Sequence, residues 1–231
     1  MDYQTRHRLI VAFLVLGLAA CIYEWRTGLE WKSFCAWAST VITLTGYAFY
    51  INQMFPPPGK TPVKPEPLTW VLFGFLTATG WIIQVAQDAD LGSWCLGITW
   101  VACFVIAGTS YFTFAWTFDA SHAWVAASAL FLFALSVVFR ANPELATASA
   151  IAATLADLVS YKPTFQKAWS RPYEDSITNF TFNSIKCIPA LLALSSFTVA
   201  TTVYLLMLTT VNGGFAIFLI MRRSYLDRYP A

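Results

Sequence analysis

Long apolar stretches with almost no charge follow one another along this chain, and no other feature constrains its folding as strongly. About 20 mostly apolar residues, rising about 1.5 Å each as a helix, cross the hydrocarbon of a bilayer. The stretches 9–25, 33–54, 69–87, 94–116, 124–140, 145–165, 178–195 and 197–221 meet or approach that length. Those at 33–54, 69–87 and 94–116 contain no charged residue. Charged residues are 11% of the chain and hydrophobic ones 58%, whereas a soluble domain carries roughly 25% charge. Such a chain has too few polar groups to coat itself in water. The expected class is an all-α integral membrane protein of about eight transmembrane helices.

The loops give an orientation. On the side holding the N-terminus lie Arg6, Arg8, Lys60, Lys64, Lys162, Lys167, Arg171, Arg222, Arg223 and Arg228. The other side holds only Arg26, Lys32 and Arg140, and Lys186 falls inside a span. Excess Lys and Arg marks the cytoplasmic face, so both termini are expected there, in a bacterial inner membrane. The first span needs separate attention. Arg6-His7-Arg8, an apolar run and Leu18-Ala19-Ala20-Cys21 together are similar to a lipoprotein signal peptide. Bulky Ile22 directly after Cys21 argues instead for an ordinary first helix.

Two loops punctuate the chain about 110 residues apart: proline-rich 55–68 and polar, mixed-charge 162–177. A helix ending in Tyr47 to Tyr50 precedes the first, and one ending in Asp157 to Tyr161 precedes the second. Each loop opens a further helix and each pair is followed by a third. The expected plan is a first helix (1–30), a triple-helix unit (31–117), a linker helix (118–143) and a second triple-helix unit (144–231). An odd linker helix gives the two units the same orientation, a parallel repeat about the membrane normal.

This plan resembles the SWEET sugar carriers, the PQ-loop proteins and the bacterial vitamin-precursor carriers of the nicotinamide riboside type. The similarity is densest between Asp157 and Lys186, where Pro163, Lys167, Asp175 and Ser176 match a proline, a basic residue and an acidic-Ser pair opening the next helix. Thr164 replaces the glutamine of the PQ pair, and the first helix is extra. The resemblance implies a carrier with its site between the units. It also implies a pocket tryptophan and asparagine in each unit, of which this chain offers one each, Trp81 and Asn212.

The residues themselves point to the same region. A charge near the midplane costs at least about 2.5–3.5 kcal/mol unless paired or hydrated. Asp157 and Lys186 lie at equal expected depth on successive helices, which permits an ion pair, either anchoring solute or proton, or bridging two helices. Asn179, Asn183 and Lys186 follow one another at helical spacing and share a face, which must point to protein or a wet cavity. Pro163, Pro189, Gly213 and Gly214 are candidate hinges. Trp31, Trp70, Trp94, Trp116, Trp124 and Trp169 stand near helix ends and read as an interfacial belt.

Other chemistries lack their residues. Nucleophile, zinc-protease and phosphate-loop motifs are absent, so no catalytic residue, metal or cofactor is expected and the chain is not read as an enzyme. Five cysteines without a CxxC pair read as small apolar residues, with a Cys35–Cys95 disulfide as the minor alternative. A net charge of +2 gives no reason to expect nucleic acid. The expected partners are the bilayer, a small polar or aromatic metabolite, and a second copy or a larger membrane complex. The competing expectation is a non-transporting accessory or scaffold subunit of such a complex.

Overall fold

A computed structural model of the chain describes residues 2–28, 30–114 and 120–229, with backbone alone at 120–126 and 163. Every regular element among them is helical: α1 Tyr3–Arg26, α2 Trp31–Met54, α3 Pro67–Ala86, α4 Trp94–Thr113, α5 Ala120–Phe139, α6 Pro143–Ser170, α7 Ile177–Ile185, α8 Cys187–Ala193 and α9 Val199–Arg228. Short 3-10 turns at Asp90–Ser93 and Pro172–Glu174 lead into α4 and α7. The starts follow from sequence. The Asp2 carboxylate accepts from the Thr5 N–H, and Asn142 accepts from Glu144 and Leu145 beside Pro143 at the first helical position. Ser176 accepts from the Asn179 N–H, and Thr198 and Thr201 form a capping box. Each cap satisfies backbone donors that the first turn leaves orphaned.

Five helical stretches among the described residues are long and apolar enough to cross a membrane: Tyr3–Arg26, Trp31–Met54, Pro67–Ala86, Asp90–Thr113 and Val199–Arg228. α1 makes the membrane argument most directly. Its apolar window is 6% buried, it packs on α2 alone, and Leu9, Phe13, Val15 and Leu16 are exposed. Apolar surface costs about 25 cal/mol per Å² in water, so lipid must cover this helix. Of the other expected spans, α6 holds Asp157 midway and Lys162 and Lys167 near its end. In α5 the stretch Ala127–Phe139 is apolar but shorter, and the third is split at Lys186 into α7 and α8, of 9 and 7 residues.

The split has a local cause. Pro189 has no N–H, and its ring crowds the carbonyl four residues earlier, at Ile185. Beside it the Lys186 carbonyl accepts the Ala190 N–H at 3.3 Å and the Ser39 hydroxyl from α2 at 2.8 Å. The loop expected from residue 162 is corrected, because α6 stays helical to Ser170. Phe165 packs on Phe215 and Phe218, and Trp169 stacks on Phe218, so aromatic contacts with α9 hold the extension.

α4 packs against both α2 and α3, whose backbones stay apart. α9 packs in the same way against α6 and α7. Across the middle, α2 meets α7 and α8 while α3 meets α6. α5 lies over α3 and α6. Two arrangements with the same packing order thus face each other, first helix to second helix in both directions. The core between them has an aromatic half, with Tyr47, Tyr50, Trp70, Phe73, Phe180 and Phe215. Its other half is aliphatic, with Leu72, Leu76, Leu96, Leu194 and Leu205. Trp70 is a correction: it stands near a helix end but is buried, packed on Tyr50, Tyr47 and Phe73. Trp31, Trp94 and Trp169 are exposed. Trp116 and the Trp124 side chain lie outside what is described.

Candidate functional site

Polar side chains from α2, α3, α4, α6, α7 and α9 meet at the boundary between the two core halves. Asp157, Asn179, Asn183 and Asn212 line a cavity of about 20 Å³ with Tyr47, Thr77, Thr99 and Tyr161. A water needs roughly 10–15 Å³ measured this way, so the cavity holds about one.

Two hydrogen-bond chains flank it. On one side the Lys186 ammonium donates to the Tyr47 hydroxyl at 3.0 Å and to Thr99 Oγ1 at 2.6 Å, and Tyr47 donates to Asn183 Oδ1 at 2.9 Å. On the other, Tyr204 donates to Asp157 Oδ2 at 3.0 Å, and the Ser160 hydroxyl, which donates to the Asp157 carbonyl at 2.7 Å, lies 3.2 Å from Asp157 Oδ1. Tyr161 closes the rim by donating to Asn212 Oδ1 at 3.1 Å. Asn179 is fully buried, and neither its amide nitrogen nor its amide oxygen has a partner. It carries an unspent donor and acceptor at the cavity wall.

The Asp157–Lys186 ion pair is not formed; the ion pairs among the described residues all lie at the Lys/Arg-rich end. Equal depth holds, but azimuth decides partners: Lys186 turns toward α2 and α4, and Asp157 toward α9. Each charge is held by neutral hydroxyls, and the cavity lies among them. Trp81 does not line the cavity; it stacks on Trp100 at 5.9 Å and covers Gly97. α6 continues through Pro163, and α9 runs unbroken through Gly213 and Gly214. Pro189 lies beside the one interruption in this group. The five cysteines are free thiols, so Cys35 and Cys95 are not joined. No group of three or more metal-ligating side chains occurs among the described residues.

A vestibule of about 250 Å³ opens from the Lys/Arg-rich end, with Lys167, Arg171, Glu66 and Asp175 at its rim. Trp70, Phe73 and Phe180 line both vestibule and cavity, so these three rings form the wall between them. Bonds from the first loop to the end of α6 and the turn after it frame the mouth. Lys64 N–H donates to the Glu174 carbonyl at 3.1 Å. Lys64 pairs with Glu174 at 3.4 Å, and Lys167 reaches the Lys64 carbonyl at 3.0 Å and Asp175 at 2.8 Å. Burial pushes the Asp175 carboxyl above the ordinary carboxylate range, and the Lys167 charge opposes that shift. At the opposite end a hollow of about 460 Å³ is lined by Glu30, Lys32, Asp88 and Asp90, and beside it a Cβ on Gly92 would meet the Leu194 backbone at 2.9 Å.

The hydroxyls of Tyr47, Tyr161, Tyr204 and Thr99 were not singled out from sequence. Their signal was position: a tyrosine deep in an apolar span must find a partner for its hydroxyl. Compared with protein-family models, curated proteins and solved structures, the chain matches none. Fold and site therefore define only its class, a helical protein embedded in a membrane.

Proposed function

We propose that this chain carries a small polar or aromatic metabolite across the bacterial inner membrane, on a SWEET/PQ-loop-like plan with both termini in the cytoplasm. The observation that carries the reading is the succession of vestibule, three-ring wall and buried polar cavity, ending at the unpartnered Asn179 amide. Solute enters the vestibule, the rings part, and Asp157, Asn179, Asn183, Asn212 and Lys186 hold it between two triple-helix units. The pair of units then rocks, with the break at Lys186 as a hinge, to open the aliphatic end. No reaction is performed on the solute. Ionisable groups buried in the bundle without an ionic partner carry a cost that function or packing must offset.

The test begins with thermal unfolding of the purified protein against a panel of amino acids, nucleosides, vitamin precursors and sugars. Counterflow of any stabilising compound in proteoliposomes follows. Asp157→Asn should abolish counterflow and leave the unfolding temperature nearly unchanged. Loss of folding in that variant would contradict a solute-holding role.

A second reading, a non-transporting subunit of a membrane complex, is favoured by the small cavity, which holds about one water. Native extraction and mass analysis separate the two. Particles of one or two chains support the carrier, and stoichiometric co-migration with other membrane subunits supports the subunit.

A further inference from the structure

A second site lies away from the central path, between α1 and α2 at the Lys/Arg-rich end. It is a groove of about 370 Å³ walled by Leu9, Ile10, Ala48 and Ile51, with Arg6 and Asn52 at its polar end. α1 packs on no other helix, so the groove opens to the bilayer. Arg6 gives its Nη2 to the Phe55 carbonyl at 2.8 Å, while its shielded Nε has no partner. Asn52 is 4% exposed, and neither of its amide atoms has a partner.

We infer that this groove binds one anionic phospholipid with a hydroxyl-bearing headgroup, of the phosphatidylglycerol type. An acyl chain lies along Leu9, Ile10 and Ile51. The phosphate, an acceptor only, takes the Arg6 Nε–H and an Asn52 N–H, and a headgroup hydroxyl donates to Asn52 Oδ1. This assignment satisfies every orphaned polar atom at the groove and matches its single positive charge. An arginine is suited to this role because its guanidinium meets phosphate oxygens with fixed donor directions. Basic pockets between helices at a membrane surface attract anionic headgroups. The inference does not depend on whether the central cavity transports anything.

The test uses full-length protein stripped of lipid in detergent, then supplied separately with phosphatidylglycerol, phosphatidylcholine or inorganic phosphate. Native mass spectrometry counts retained lipid, and thermal unfolding reports its effect. The expected result is one phosphatidylglycerol per chain, preferred over phosphatidylcholine on the order of 5–10-fold. Arg6→Gln should remove the preference, whereas Arg8→Gln, at an exposed position on the same helix, should keep it. Equal retention of the two lipids would overturn the inference. So would equal losses from Arg6→Gln and Arg8→Gln, or stabilisation by inorganic phosphate alone to the level given by the phospholipid. The wild-type comparison of lipids decides the matter even if a variant fails to fold.

Discussion

The central cluster separates charge from pairing. Lys186 is 1% exposed, and its Nζ is held by the hydroxyls of Tyr47 and Thr99, so it forgoes Coulombic compensation. If the lysine serves solute, replacing it should not weaken the fold. Lys186→Met is therefore expected to leave the unfolding temperature unchanged or raised, since an uncompensated intramembrane charge costs about 2.5–3.5 kcal/mol, while transport is lost. Asn179→Leu follows the same logic: removing an unsatisfied buried amide should stabilise by about 1–3 kcal/mol and abolish solute-dependent stabilisation. Both are read by thermal unfolding with and without solute. Asp175 supplies the pH prediction. Its folded carboxyl titrates above its unfolded range, so the folded chain holds the proton more tightly. Its contribution to stability is full below the unfolded pKa and is lost as pH rises through the folded one. Asp175→Asn, which cannot titrate, should gain in unfolding temperature relative to wild type as pH rises through that window.

Helices were far more legible than their rotations. Spans lacking charge, such as 69–87 and 94–116, declare themselves because no charge in them opposes burial in lipid. The interruption at Lys186 was foreshadowed by Pro189, whereas the extension of α6 to Ser170 rests on ring contacts with α9 that no local pattern announces. Partner choice was legible least. Asp157 and Lys186 matched in depth, yet helix azimuth sent them to different neighbours, and azimuth follows from packing of the whole bundle. Glycines show the same divide. Gly46 sits where a Cβ would meet Phe182 Cβ at 2.7 Å, whereas Gly214 faces open space. Gly46→Ala should destabilise the α2–α7 contact by about 1–3 kcal/mol. Gly214→Ala should gain up to about 1 kcal/mol from helix propensity. Thermal unfolding of the two variants side by side tests this contrast.

At the scale of the molecule, α4 stands between α2 and α3 as α9 stands between α6 and α7, and the polar cluster lies where these two arrangements meet. Bonds among Lys64, Lys167 and Glu174 frame one mouth, and the aliphatic half of the core lies toward the other end. We propose that this is one state of a moving carrier, so the cavity must at times be reached by water from each side. Labelling tests that claim without knowledge of the solute. Asn179→Cys is placed in sealed vesicles of either orientation and exposed to a membrane-impermeant thiol reagent, with the wild-type protein and its buried free cysteines as background. We predict modification above background from both sides of the membrane; modification from neither side would contradict the account.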